Sequence, residues 1–117
     1  MPEITRLHTG RRLSEASIHR GLVWLAGQVA EDASRDARGQ TEQVLAAVDR
    51  LLAEAGSDKS RILMAQIFLA DLADFDAMNA AWDAWVAPGA APCRATVQAR
   101  PARPEWKVEI VVTAARR

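Results

Sequence analysis

Apolar positions along the chain change period several times, and each change marks an expected element. Residues 3–9 alternate loosely, with Ile4 and Leu7 as weak anchors of a first strand. Residues 17–20 and 22–26 alternate again on either side of Gly21, as two strands of a hairpin would. Over residues 36–55 the period lengthens. Val44, Val48, Leu51, Leu52 and Ala55 recur at helical spacing, while Gln40, Glu42, Gln43, Asp49, Arg50 and Glu54 fill most of the remainder. Gly56 follows where a helix wants a left-handed end. Residues 60–70 are largely apolar at both parities: Ile62, Met64, Gln66 and Phe68 alternate with Leu63, Ala65, Ile67 and Leu69, which predicts a central strand covered on both faces. A second helix is expected from an N-cap at Asp74, with Phe75, Met78, Trp82, Trp85 and Val86 as its buried stripe and Pro88-Gly89 as its stop. Two strands over residues 94–100 and 106–114, joined by a turn over residues 101–104, close the order β-β-β-α-β-α-β-β.

Two amphipathic helices cover one face of such a sheet. The strand over residues 60–70 is nevertheless apolar on both sides, so the second face needs another cover. An exposed patch of that size is a liability, and a homo-oligomer with its sheets packed together is the economical answer. Clefts then form at subunit junctions.

Composition narrows the class. The 117 residues fit one domain over residues 1–117, half apolar and a quarter charged, as in a globular protein. Fifteen basic and 15 acidic side chains leave no formal net charge, which argues against a general nucleic-acid or anionic-membrane binder. No apolar run approaches the ~18 residues needed to span a bilayer, and the polar start MPEITRLHTGRR has no signal-peptide core. The single cysteine, Cys93, allows no intramolecular disulfide. A cytoplasmic protein stabilised by packing is expected.

Candidate chemistry is sparse. His8, His19 and Cys93 lack metal-ligand spacing, and there is no glycine-rich phosphate loop or nucleophile elbow. In the strand APCRATVQAR, alternation puts Arg94, Thr96 and Gln98 on one face and Cys93, Ala95, Val97 and Ala99 on the other, a stripe apolar enough to bury. On that parity Cys93 is an inert buried thiol rather than a thiolate activated by Arg94. In VEIVVTA, Glu109 stands alone opposite Val108, Ile110 and Val112. One arginine and one carboxylate in a shared sheet fit either a structural ion pair or a functional couple. Gly27 permits a bulge, a strand end or a close approach. Asn79, one position off the apolar stripe of its helix, fits a boundary residue bonded to nearby backbone.

Five segments, in order, resemble the RidA/YjgF family of reactive-intermediate deaminases (endoribonuclease L-PSP-like proteins) along nearly the whole chain: LVWLAGQV, QTEQVLAAVDRLLAEAG, ILMAQIFLADLADFDAMNAAWDAWV, APCRATVQA and VEIVVTA. They are similar to the family's SGQ, its LxxAG helix end, its VFLxDxxDFxxxN segment, its PxR strand and its VEIxxxA strand. The resemblance implies an α/β, chorismate-mutase-like (bacillus-type) fold, with two helices on one face of a mixed sheet. It also implies a homotrimer with a barrel-like core and sites in the clefts between subunits. The implied reaction is hydrolysis of a 2-imino or 2-enamino acid to a 2-oxo acid and ammonia, with no metal or organic cofactor. By the same resemblance Arg94 binds the substrate carboxylate, Glu109 positions or activates water, and Thr96 offers its backbone N–H to the carboxylate. Gly27 lines the cleft, and Asn79 matches the family's helix asparagine.

The chain departs from the pattern in three places. It contains no tyrosine, where active members carry one in the segment matching SEASIHRG, around Ser17 and Ile18. Ala26 replaces the serine of SGQ, and Cys93 stands where alanine is usual. These departures suggest a divergent subgroup with another substrate. A non-catalytic trimer that binds or senses small carboxylates is the alternative. A ribonuclease-like role is disfavoured by the zero net charge and the absence of a basic stripe.

Overall fold

The computed structural model describes residues 3–117, so Met1 and Pro2 of the expected domain lie outside the described residues. Six strands and two main helices follow in the expected order: β1 (Thr5–Leu7), β2 (Ala16–His19), β3 (Leu22–Leu25), α1 (Ala37–Glu54), β4 (Ile62–Leu69), α2 (Phe75–Trp85), β5 (Cys93–Gln98) and β6 (Val108–Ala115). The strands form one sheet in the order β1-β2-β3-β6-β4-β5. Only β4 and β5 run parallel, joined through α2, and the other neighbours are antiparallel. The hairpin between β2 and β3 turns on Arg20 (φ 51°) and Gly21 (φ 78°), the two left-handed residues a type I′ turn requires.

Helix α1 begins where Asp36 accepts a hydrogen bond from the Gly39 N–H at 2.8 Å. It ends in a Schellman motif. Gly56 (φ 83°) donates to the Ala53 carbonyl at 3.2 Å, and Ser57 donates to that of Leu52 at 2.8 Å. Its apolar face, Val44, Leu45, Val48, Leu51 and Leu52, is buried against the sheet. Gln40, grouped by sequence with the polar face, is fully buried instead. Its amide donates to the carbonyls of Ala33, Arg35 and Glu105 and accepts from the Lys107 N–H. Its burial is therefore matched by hydrogen bonds that tie the start of α1 to the loop before β6.

Helix α2 differs from expectation at its start. Asp74 makes no side-chain cap; Asp71 accepts from the Ala73 N–H at 2.9 Å, and one 3₁₀ turn leads into the helix. That turn rotates Phe75 outward to 40% exposure, so the buried stripe is Met78, Ala81 and Trp82, with Trp85 and Val86 half-buried. The Trp85 indole is held by Asp49 of α1 at 3.0 Å and packs 5.3 Å from Trp82.

Both helices lie on one face. The shortest dimension of the molecule, 20 Å, leaves room for one sheet and one helix layer. In β6, Val108, Ile110, Val112 and Ala114 are buried beneath the helices, and Glu109, Val111 and Thr113 point to the open side. In β4, Ala65, Ile67 and Leu69 are buried while Phe68 and Met64 are half-exposed on the open side. Trp24 and Val97, 43% and 48% exposed, add to that apolar open face. The two-sided apolar strand is therefore real, and one of its sides is uncovered in the single chain.

Candidate functional site

Strand register decides which candidate residues can meet. Phe68 pairs with Glu109, so Glu109 belongs to the open face. Arg94 pairs with Ala65 and Thr96 with Ile67, two residues buried under the helices, so Arg94 and Thr96 point to the helix side. The expected parity within β5 holds, but its assignment to faces is inverted. Cys93, Ala95 and Val97 form the exposed row, and Cys93 is an exposed free thiol rather than a buried one. Arg94 and Glu109 are therefore separated by the sheet itself, with β4 between their strands, and the structural ion pair is not formed.

The helix-side half-site is built at the sheet edge, where β5 has a neighbour on one flank only. The Arg94 guanidinium lies 5.1 Å from the ring centre of Trp82. This cation–π contact holds the charge beside α2 without neutralising it, and no carboxylate pairs with Arg94 among the described residues. Asn79 stands one turn before Trp82 on the same side of α2, half-buried. The Thr96 hydroxyl is buried there with no hydrogen-bond partner. Trp82 had been assigned to the core by its spacing alone. Its second role, under the guanidinium, is a long-range contact with no local signal.

The open-face half-site joins β3 and β6. The backbone of Gln28 exchanges two hydrogen bonds with Ile110, at 2.9 and 3.1 Å, which brings Gly27 alongside Glu109. A Cβ placed on Gly27 would stand 2.9 Å from Glu109 Cδ, closer than real Cβ contacts come, and a tight 3.2 Å from Cγ. Of the readings open for Gly27, close approach is the one observed. The Gln28 side chain locks this corner, donating to Glu15 at 2.9 Å and to the Ala26 carbonyl at 3.0 Å. Glu109 opens into a recess of about 180 Å³ lined also by Phe68, Ala99, Arg100 and Pro101. Arg100 is a residue the sequence pattern missed, because it lies beyond the alternating part of its strand.

This arrangement of sheet and half-sites can be compared with known proteins. The sequence profile of the Endoribonuclease L-PSP family matches residues 3–116. The chain belongs to the RidA/YjgF family. A RutC family protein from Haemophilus ducreyi is 55% identical over 112 residues, covering 96% of each chain. The crystal structure of a YjgF-family member from Neisseria meningitidis superposes with a TM-score of 0.96 at 51% identity, covering 98% of this chain and 96% of that one. A more distant family member, Reactive Intermediate Deaminase A of Arabidopsis thaliana chloroplasts, is 33% identical over 95 residues, which make up 80% of this chain and 50% of that protein. Family membership agrees with the chorismate-mutase-like arrangement of two helices on a mixed six-stranded sheet. No helix among the described residues is long and apolar enough to cross a membrane.

Proposed function

We propose that this RidA/YjgF-family chain is a cytoplasmic homotrimeric hydrolase of 2-imino or 2-enamino acids, releasing 2-oxo acids and ammonia in clefts between protomers. The observation that carries this reading is the placement of Glu109. Its carboxylate sits on an uncovered face, against a glycine that leaves it room, above a recess of about 180 Å³, and no cation pairs with it among the described residues. A structural carboxylate would be paired or fully solvated; a positioned base needs this kind of half-sheltered freedom.

In the trimer, Arg94 at the sheet edge of one protomer reaches the Glu109 recess of the next. Its planar fork binds the substrate carboxylate through two parallel hydrogen bonds, assisted by the backbone N–H of Thr96. Asn79 flanks the arginine and Gly27 the carboxylate. The imine carbon is already electrophilic, so positioning supplies much of the acceleration. Water adds to that carbon as Glu109 takes its proton, and the nitrogen keeps the former π electron pair. That proton passes to nitrogen, giving a carbinolamine; Glu109 then carries the hydroxyl proton to nitrogen as well, and the C–N bond breaks as the C=O bond forms and ammonia leaves. No metal or organic cofactor enters these steps.

The absence of tyrosine keeps a second reading in view: a trimer that binds small carboxylates in the same cleft without turning them over. One experiment separates the two. An amino-acid oxidase generates a panel of imines in place, and release of 2-oxo acid and ammonia is followed with wild type and Glu109→Gln. The enzyme reading expects turnover that falls by about 10²–10⁴-fold in the variant, the range for a positioned base. Ligand binding without any turnover would establish the sensor and sink the enzyme.

A further inference from the structure

A second cavity, of about 350 Å³, is lined by Ala70, Arg100, Pro101, Ala102, Arg103, Pro104 and Trp106. It shares Arg100 and Pro101 with the Glu109 recess. Arg100 is thus a common wall of the two, and Arg103 lines the second, with its guanidinium 5.5 Å from the centre of the Trp106 ring. Neither arginine is paired with a carboxylate among the described residues. In a chain with no net charge, two exposed, unpaired arginines lining one cavity are a local feature rather than a general basic surface.

The segment that carries them is held at both ends. Ala99 donates to the Leu69 carbonyl at 3.0 Å, and Ala70 donates to that of Lys107 at 3.0 Å. Within the turn, Trp106 donates back to Arg103 at 3.2 Å. Buried Gln40 grips Glu105 and Lys107 from below, at 3.1 and 2.9 Å. Pro101 and Pro104 fix two backbone angles between these anchors. Such a segment loses little further freedom when a ligand binds, so its cations are pre-organised.

We infer that Arg100, backed by Arg103, binds a second anionic group, so that the substrates are imines of small dicarboxylic amino acids and the products 2-oxo dicarboxylic acids. This inference rests on the proposed hydrolysis at Glu109. The first carboxylate is taken by Arg94 and the reacting carbon lies at Glu109. The far carboxylate then extends along the shared wall to Arg100, which meets it as a charge-assisted pair. At about 180 Å³, the Glu109 recess that Arg100 lines fits a short chain.

The test compares 2-oxoglutarate with 2-oxopentanoate, which has the same chain length and lacks the second carboxylate. Affinity is measured by calorimetric titration of the full chain in its native assembly. Wild type should prefer the diacid by about 10-fold or more, the scale of one charge-assisted hydrogen bond. Arg100→Gln should remove most of that preference, and Arg103→Gln part of it. Equal affinities in wild type, or a preference that survives in the double variant, overturns the inference and leaves the hydrolase reading standing. Failure to bind either acid overturns both.

Discussion

If the cleft takes Arg94 from one protomer and Glu109 from the next, two inactive variants should restore each other. The geometry makes this a sharp test. Arg94 pairs with Ala65, and Glu109 lies level with Phe68, three residues further along β4. Two strand spacings sideways and three residues lengthwise put their Cα atoms about 14 Å apart, and their side chains leave opposite faces of the sheet. No rotamer joins them within one chain. Arg94→Ala and Glu109→Gln homotrimers should each retain about 1% of wild-type turnover or less. When the two are unfolded together and reassembled at equal ratio, a junction works if its arginine comes from the Glu109→Gln chain and its glutamate from the Arg94→Ala chain. Random assembly satisfies both conditions at about one junction in four, so turnover should return to about a quarter of wild type. Oxo-acid release is the assay, and native mass spectrometry with differently tagged chains confirms that mixed trimers formed. Mixed trimers no more active than their parents would refute the shared cleft. A monomer at micromolar concentration by light scattering would remove its premise.

Gly27→Ala should stay folded, because the nearest atoms in its way belong to the flexible Glu109 side chain. Displacing that carboxylate should lower kcat by about 10-fold or more while melting temperature changes little; a fall in stability at unchanged kcat would mean that the contact is only packing. Asp58 supplies a pH test: hydrogen bonds from Ser60, then Arg117, hold its carboxyl below the ordinary aspartate value. A carboxyl depressed in the folded state adds stability above its unfolded pKa and loses it as pH falls through the folded one. Asp58→Asn should therefore melt below wild type at pH 7, with the gap narrowing as pH falls below about 4; a gap that stays constant as pH falls through the acid range would assign the effect to shape instead.

Legibility followed the range of the interaction. The C-terminal end of α1 was readable because Gly56 acts on backbone groups within a turn of itself. Gln40 was not, since its partners Glu105 and Lys107 are 65 and 67 residues away, and composition alone sends glutamine to the surface. The free carboxylate face of β6 was visible from alternation. Its juxtaposition with Gly27 was not, because it depends on Gln28 pairing with Ile110 across the sheet.

The inverted strand is the most instructive case. Alternation separated Arg94 and Thr96 correctly from Cys93, Ala95 and Val97, and then expected the apolar row to be the buried one. In the single chain the opposite holds: the row with the cation lies on the helix side, and the apolar row is open. The helix-side row can carry polar groups because it is at the sheet edge, where an arginine can stack on Trp82 and still reach outward. The open row has no such excuse. Its side chains continue the apolar surface of Met64, Phe68 and Val111 in the same sheet. The expectation of burial therefore fails within the single chain, and the row could be buried only by a layer from outside it. A second copy of the chain is the simplest layer that could, and the same packing would carry Arg94 at the edge of one sheet towards Glu109 on the face of another.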